Sequence, residues 1–265
     1  MPESDSPARQ ALVTGAGKRV GAAIARALAA AGWAVTIHYR SAGEEAETLA
    51  GAIREAGGSA RTYQADLADP AAAEATIAAL DGVPSPLTLL VNNAAIFDYD
   101  APPDVTAESL AEQFSVNAAA PILLAQAFGA AKKRRGETGA VVNMLDNKIF
   151  APNADYFSYS VAKFALAGAT RMLAMALAPH VRVCGVAPAL LLVSGEQSED
   201  GYQRARVVNP ARRPTRLEDV CRAVLFLAET ESVNGEIIAV DRGQTLMNLP
   251  RDVAFLDDGP VKGFQ

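Results

Sequence analysis

The fold is decided by one stretch near the start of the chain, Val13-Thr14-Gly15-Ala16-Gly17-Lys18-Arg19-Val20-Gly21. An apolar strand over residues 10–14 runs into this glycine-rich turn, and a helix over residues 21–31 follows it. Gly15 permits a tight turn, and Gly21 lets the helix pack closely on the sheet. Amides at the start of a helix carry partial positive charge and suit a pyrophosphate. This strand–turn–helix unit therefore predicts a nucleotide-binding site.

Apolar runs alternate with alanine-rich helical stretches along the rest of the chain. Further strands are predicted over residues 34–39, 60–64, 87–92, 140–144, 181–186 and 236–240. Further helices are predicted over residues 43–56, 70–80, 107–133, 156–178 and 217–228, with Asp69 as the N-cap before Pro70. The alternation favours an α/β fold, a doubly wound parallel sheet of the Rossmann type, in a single domain.

Three segments lie outside this regular pattern. Residues 1–9 are polar and are expected to form a flexible N-terminus before a domain over residues 10–247. Residues 189–213 form a long, poorly periodic loop, and a loop of that length is often a substrate lid. The tail over residues 248–265 is expected either to cover a neighbouring subunit or to be disordered.

Composition excludes several classes of protein. The chain has 265 residues and a net charge of −6, which argues against general binding of nucleic acid. Its one dense basic run, residues 132–135, is interpreted as a solvated helix end, with a partner-binding patch as the alternative. Cys184 and Cys221 lack metal-ligand spacing, so we expect a reducing compartment, two buried thiols and no metal site. Without a long apolar run or a signal peptide, we predict a cytoplasmic protein that does not bind membranes.

A candidate catalytic pair lies on the helix predicted over residues 156–178, in the sequence Tyr159-Ser-Val-Ala-Lys163. One helical turn places the phenol and the ammonium on the same face. A nearby cation favours the phenolate, so we expect Lys163 to lower the pKa of Tyr159 toward neutrality, which suits a proton donor. The alternative is an unrelated tyrosine and lysine on a helix surface. Together with the glycine loop, the pair suggests a nicotinamide-dependent reductase.

These motifs resemble the short-chain dehydrogenase/reductase family over nearly the whole chain, from Leu12 to about Leu246. The resemblance rests on the glycine loop, on Asp66-Leu67, on Asn92-Asn93-Ala94-Ala95, on Tyr159 with Lys163, and on Val240-Asp241-Arg242-Gly243. It implies catalytic roles for Tyr159, Lys163, Asn117 and Asp146. The cofactor-binding residues that it implies are Gly15, Lys18, Arg19, Val20, Tyr39, Arg40, Ser41, Asp66, Leu67, Asn93, Ala94, Ala95, Tyr159, Lys163 and Pro188.

The end of the second strand predicts NADPH as the cofactor. An acidic residue there would bind the ribose diol of NAD and repel a 2′-phosphate, but the strand ends His38-Tyr39-Arg40-Ser41. Arg40, Ser41 and Arg19 instead offer charge and hydrogen bonds suited to a phosphate. The alternative is that Arg40 is an ordinary surface arginine.

Asn117 precedes Pro121 by four residues on a predicted helix. Proline has no N–H, so the Asn117 carbonyl loses its helical partner and a kink is expected. The family resemblance implies that this carbonyl holds a water leading toward Lys163. The alternative is a plain buried asparagine.

Asp146 stands where the family usually has a serine that hydrogen-bonds a substrate carbonyl. A carboxylate is a poor donor for such an oxygen, and it suits either a substrate rich in N–H groups or a proton relay into Tyr159. The alternative is a turn residue in a degenerate enzyme. Arg19 in place of a glycine, Asp146 and Phe97 together resemble pteridine reductases, which implies a pterin site formed by Arg19, Phe97, Asp146 and Tyr159. Phe97 as ordinary core packing is the alternative reading.

We therefore predict an NADPH-dependent reductase that transfers hydride to a C=N bond of a dihydropterin, with the proton supplied by Tyr159. Two departures from pteridine reductases, Ala95 and Pro188-Ala189, leave the identity of the pterin open. The alternatives are a general reductase of ketones, sugars or acyl substrates, and a non-catalytic protein that senses NADP. The resemblance also implies a homotetramer that pairs through its two long helices.

Overall fold

The computed structural model describes residues 9–81, 85–193 and 198–258. Seven strands form one parallel sheet in the order β3-β2-β1-β4-β5-β6-β7. The strands are β1 (Gln10–Val13), β2 (Ala34–Tyr39), β3 (Ser59–Gln64), β4 (Leu87–Asn92), β5 (Gly139–Met144), β6 (Val181–Pro188) and β7 (Ile237–Val240). The doubly wound Rossmann fold predicted from the sequence is confirmed. The expected flexible N-terminus lies outside the described residues, apart from Arg9.

Within the described residues, eight α-helices accompany the sheet: α1 (Arg19–Ala30), α2 (Gly43–Glu55), α3 (Pro70–Leu80), α4 (Ala107–Phe114), α5 (Ala120–Arg135), α6 (Phe157–Ala176), α7 (Glu199–Ala205) and α8 (Leu217–Glu229). One hydrophobic cluster joins α1, α2 and α8 to one face of the sheet, through side chains such as Ile24 and Val224. A second joins α3 and α5 to the other face, through side chains such as Ile77 and Phe128. The order of the strands reverses between β1 and β4, where open α/β sheets bind their ligands.

The helix predicted over residues 107–133 is divided by a π turn over Ser115–Ala119. The Ala120 amide donates to the Ser115 carbonyl, five residues back, and Pro121 follows without an N–H of its own. The kink expected at Pro121 therefore takes the form of a widened turn. The hydrogen bond between Ala120 and Ser115 satisfies backbone groups close to the proline. By length and composition, residues 107–135 could cross a membrane, but half of the most apolar 18-residue window in that stretch is buried inside the fold.

Three sequence-based expectations are corrected. The segment over residues 189–213 is not all loop, because Ser198 caps a short helix, α7. Lys132 of the basic run is not solvated, since it is fully buried with Asp81 and Glu137 as ion-pair partners, whereas residues 133–135 are exposed. The first helix begins at Arg19 rather than at Gly21.

Other local predictions are confirmed. The Asp69 carboxylate accepts the Ala71 amide at the start of α3, with Pro70 in the first turn. Both cysteines are buried free thiols, and burial raises the pKa of each.

Candidate active site

A cavity of about 480 Å³ opens at the carboxyl ends of the central strands. Its walls combine the glycine loop after β1, the segments after β4, β5 and β6, and the start of α6. Most of the residues predicted to form the site line it: Gly15, Lys18, Arg19, Val20, Arg40, Asp66, Leu67, Asn93, Ala94, Ala95, Phe97, Asp146, Tyr159, Lys163 and Pro188. Tyr39, Ser41 and Asn117 are predicted site residues that do not line this cavity.

The glycine loop closes tightly against the start of the segment after β4. Gly15 has a φ of +60°, and a Cβ there would lie 2.8 Å from the Ala94 Cα atom. A Cβ at Gly21 would lie 2.5 Å from both the Gly15 carbonyl oxygen and Nδ2 of the Asn93 side chain. Neither position has room for a side chain, so these glycines allow the close backbone approach that a dinucleotide site needs.

A buried histidine fixes the same loop. The Gly15 amide donates to His38 Nδ1 at 3.0 Å, so the ring proton resides on Nε2, which donates to the Ala65 carbonyl at 3.2 Å. Burial lowers the pKa of His38 from 6.5 to about 4. His38 is thus neutral at pH 7 and was not predicted from the sequence, where it reads as one more apolar-strand position.

This neutral histidine predicts a loss of stability in acid. An unfolded His38 would bind its proton near pH 6.5, whereas the folded one does so only near pH 4, so stability falls as pH drops through that interval. The full effect amounts to about 3 kcal/mol. Urea unfolding at pH 7 and pH 4.5 should show a smaller pH effect in His38→Asn than in the wild type. Equal pH effects in the two proteins would contradict this role.

Arg19 occupies a left-handed conformation, with a φ of +55°. That conformation explains why a glycine is usual at this position and shows that an arginine can be held there at some cost. Its guanidinium donates to the Val193 carbonyl at 2.9 Å, which links the glycine loop to the segment after β6. Lys18 and Arg40 lie exposed on the same wall of the cavity.

Tyr159 and Asp146 are in direct contact. The Tyr159 hydroxyl donates to Asp146 Oδ2 at 3.1 Å, and Asp146 Oδ1 accepts the Lys148 amide at 2.9 Å. Asp146 follows β5 and Tyr159 lies in the first turn of α6, so these elements bring the two oxygens together. The start of α6 is held by Asp100, whose carboxylate accepts the Ser158 amide and hydroxyl.

The pKa values of Tyr159 and Lys163 differ from those expected from the sequence. The pKa of Tyr159 is raised well above its ordinary value, first by burial and then by the Asp146 carboxylate. Burial also raises the pKa of Asp146 and lowers that of Lys163 to about 8. The prediction that Lys163 brings the tyrosine toward neutrality is therefore wrong for this state, because burial and Asp146 outweigh a cation 5.5 Å from the ring centre. Tyr159 therefore keeps its proton and donates it in the hydrogen bond to Asp146.

The side chains of Lys163 and Asn117 have separate partners, and the water expected between the Asn117 main-chain carbonyl and Lys163 stays a prediction. The Lys163 ammonium donates to the Met144 carbonyl at 2.8 Å. The Asn117 side chain instead spans the backbone of Ile96, accepting its amide at 3.1 Å and donating to its carbonyl at 3.0 Å. Asn117 therefore braces the segment that carries Phe97.

Phe97 belongs to an aromatic cluster on one side of the cavity. Its ring stacks on Tyr156 with a centroid distance of 4.0 Å and meets Tyr159 edge-on at 4.6 Å. Phe97 is only partly buried, so its ring is shared between this cluster and the cavity. The reading of Phe97 as pure core packing does not fit that position.

Several wall residues were missed by sequence reasoning. They come from the segment after β5 and from the C-terminal part of the chain: Lys148, Asn153, Tyr156, Gln244, Thr245, Leu249, Arg251, Asp252, Val253 and Ala254. Leu190, Leu191 and Leu192 also line the cavity, and they belong to the loop that was expected to form a substrate lid. No motif marks the missed residues, because long-range folding alone brings them to the cavity. Lys148 is distinctive because its charged side chain is buried, but a single sequence does not show which side chains are buried.

Comparisons with known proteins agree with this architecture. A family model described as enoyl-(acyl carrier protein) reductase matches residues 15–245. Pteridine reductase 1 of Leishmania tarentolae is 33% identical over 283 residues, covering 89% of this chain and 96% of that protein. L-xylulose reductase of Bos taurus is 35% identical over 242 residues, covering 89% and 96%.

A solved structure gives the same result in three dimensions. FolM alternative dihydrofolate reductase 1 from Brucella canis, complexed with NADP, superposes with a TM-score of 0.85. Its sequence is 35% identical, and the match covers 89% of this chain and 94% of that one.

Proposed function

The chain belongs to the short-chain dehydrogenase/reductase family as an NADP-dependent member, and from that premise we propose that it reduces a C=N bond of a dihydropterin. The observation that carries the proposal is the hydrogen bond between Tyr159 and Asp146, with the Phe97 ring against Tyr159. A carboxylate at this position is poorly matched to a carbonyl oxygen. It is well matched to a heterocycle that presents N–H groups.

The residues of the cavity fit NADPH. The start of α1 offers main-chain amides beside Gly15, in a cradle that a Cβ would fill. Lys18, Arg19 and Arg40 line the same cavity, where Arg40 and Arg19 suit a phosphate, whereas Lys18 is ion-paired with Glu45 at 3.0 Å. Lys163 and the Asn93–Ala95 backbone line the path from there to Tyr159. When bound, the cofactor supplies a hydride.

Tyr159 supplies the proton in the proposed reaction. The hydride adds to the C=N carbon, and the Tyr159 hydroxyl gives its proton to the nitrogen, so one C–H and one N–H bond form. The resulting phenolate is offset by Lys163, which is largely cationic at pH 7 with a pKa of about 8. Asp146, whose pKa is raised by burial, lies 3.1 Å from that oxygen, and it takes up a proton from the solvent of the cavity and passes it to the phenolate.

Phe97 is proposed to stack against the substrate ring. Flat heteroaromatic rings pack well on a phenyl face, and Phe97 is already held in place by Tyr156. Arg19, which lines the same cavity, is proposed to contact both phosphate and pterin, the role that the resemblance to pteridine reductases implies.

The test of the reaction is NADPH oxidation with 7,8-dihydropterins beside a panel of ketones, sugars and acyl substrates. Turnover of dihydropterins is the expected result. The second candidate is a carbonyl reductase, which the similarity to L-xylulose reductase favours. Turnover of carbonyl compounds alone would select that candidate and leave Asp146 without a role.

Replacing Phe97 with alanine separates the two candidates. Loss of one aromatic stacking partner should raise KM for a dihydropterin about tenfold, in line with about 1.5 kcal/mol for such a contact. KM for any ketone substrate should change little. Steady-state kinetics on both classes measures this, and Phe97→Tyr should keep most of the affinity. An unchanged KM for the pterin would contradict stacking.

We also propose a homotetramer. Apolar side chains lie exposed on α4 and α6, which pack together: Leu110, Phe114, Val161 and Phe164. Such a patch on two adjacent helices fits a second copy of the chain. Light scattering should give four times the chain mass, and Phe114→Glu should lower it. A monomer at micromolar concentration would contradict the proposal.

A further inference from the structure

The C-terminal segment folds back over the cavity of its own chain. We name residues 249–256 the strap. Leu249, Val253 and Ala254 line the cavity, together with Arg251 and Asp252. The strap thus forms a wall of the cavity that also contains Asp146 and Tyr156.

Asp155 binds the strap at one point. Arg251 donates to both oxygens of the Asp155 carboxylate, with Nε and a terminal nitrogen each at 2.8 Å. The Asp252 amide donates to the same carboxylate at 2.8 Å. The Asp155 side chain is fully buried, so this bidentate pair is withdrawn from solvent.

Lys148 binds the strap at a second point, two residues after Asp146. Its ammonium lies 2.9 Å from Asp252 Oδ2 and also donates to Asn153 Oδ1 and to the Asp155 carbonyl. The lysine side chain is only 7% exposed. A buried ammonium needs such partners, and Asp252 is the carboxylate that pairs with it.

The strap also supports the aromatic cluster. Phe255 lies 5.1 Å from the Tyr99 ring centre and 5.9 Å from that of Tyr156. Tyr156 in turn stacks on Phe97. The strap therefore supports Phe97, the ring proposed to stack on the substrate, through the side chain of Tyr156.

We propose that the strap is a specificity-determining wall of the substrate site, and that the Lys148–Asp252 ion pair holds it closed beside Asp146. The charges that the strap brings to the cavity are engaged by Lys148 and Asp155, which leaves Leu249, Val253 and Ala254 to meet the ligand. Such a wall favours compact, uncharged substituents over long anionic ones. Its effect on pterins rests on the function proposed above.

The test uses Asp252→Asn in the full-length protein. This change keeps the size of the side chain and an oxygen that can accept the Ala254 amide, but removes the charge that pairs with Lys148. Hydrogen exchange at the amides of the strap should speed up about tenfold, which needs no substrate. KM for 6-hydroxymethyl-7,8-dihydropterin should rise about tenfold with kcat within about threefold, and selectivity against 7,8-dihydrofolate should fall.

Two control variants accompany it. Asp252→Glu keeps the charge and should restore most of the wild-type exchange and KM. Asp219→Asn removes a carboxylate from an ion-pair cluster with Arg216 and Arg222, outside the cavity wall, and should leave both readouts unchanged. The affinity for NADPH should stay within about twofold in every variant, because neither Asp252 nor Asp219 is among the residues predicted to bind the cofactor.

Two results would overturn the proposal. One is unchanged exchange and unchanged selectivity in Asp252→Asn. The other is a parallel loss of NADPH affinity, which would mean general loosening of the fold. If no dihydropterin is reduced at all, the proposed function fails, and the role of Lys148 is then decided by hydrogen exchange alone.

Discussion

Tyr159→Phe is expected to lower kcat by about 10²- to 10⁴-fold, the range that a positioned general acid contributes. The change removes one oxygen, the only group in the proposed mechanism that gives a proton to the substrate nitrogen. The phenyl ring that remains can keep the edge contact with Phe97, so the wall of the cavity should survive. Single-turnover measurements of NADPH oxidation would determine the loss.

Binding and chemistry must be separated in this variant. NADPH affinity, measured by the fluorescence of the bound cofactor, should change less than about threefold because the glycine loop and the basic residues are untouched. Tyr63→Phe, on β3 and outside the cavity wall, is the matched control and should behave as the wild type. Near-normal turnover by Tyr159→Phe would rule out the mechanism.

Asp146→Asn is expected to lower kcat for a dihydropterin by about 10²-fold. Asparagine can still accept the hydroxyl hydrogen of Tyr159, but it cannot hold and return a proton. The raised pKa of Asp146 means that its protonated form persists above the ordinary range for a carboxyl, and this form declines as pH rises through its pKa. Both proteins should lose rate as Lys163, with a pKa of about 8, loses its charge. The wild type should show a further alkaline decline from Asp146 that the variant lacks, and pH–rate profiles of both would test this.

Asp146→Ser is the matched comparison. A serine hydroxyl donates to a carbonyl oxygen, which a carboxylate does poorly. We expect this variant to lose activity on dihydropterins and to gain activity on ketones relative to the wild type. Retention of full dihydropterin turnover in both variants would show that Asp146 serves only as a turn residue.

The fold was predictable because its signals are local. A strand, a glycine turn and a helix stand next to one another in residues 10–31, and Asp69 with Pro70 marks a helix start within two residues. Such features depend on backbone sterics and capping, which a single sequence displays. Helix α7 was missed because its seven residues are too few to show a helical period.

The site was predictable only in part, since its chemistry depends on burial. The spacing of Tyr159 and Lys163 places them together, but their charges respond to desolvation and to Asp146, which lies thirteen residues earlier. His38 and Lys148 are ordinary residues in the sequence that become important once they are buried. The strap is reached only through contacts nearly a hundred residues apart, such as Asp155 with Arg251.

The π turn before α5 has a consequence for how this protein can change over evolution. A helix rotates by about 100° per residue, so one residue accommodated in a widened turn offsets the faces of α4 and α5 by about that angle. Asn117 lies within the turn and braces Ile96, while Leu124 and Phe128 of α5 face the sheet. A substitution within the turn leaves these two faces in their relative orientation. A deletion would rotate either Asn117 away from Ile96 or the Leu124 and Phe128 side chains away from the sheet. Chain length here is therefore under stronger constraint than residue identity.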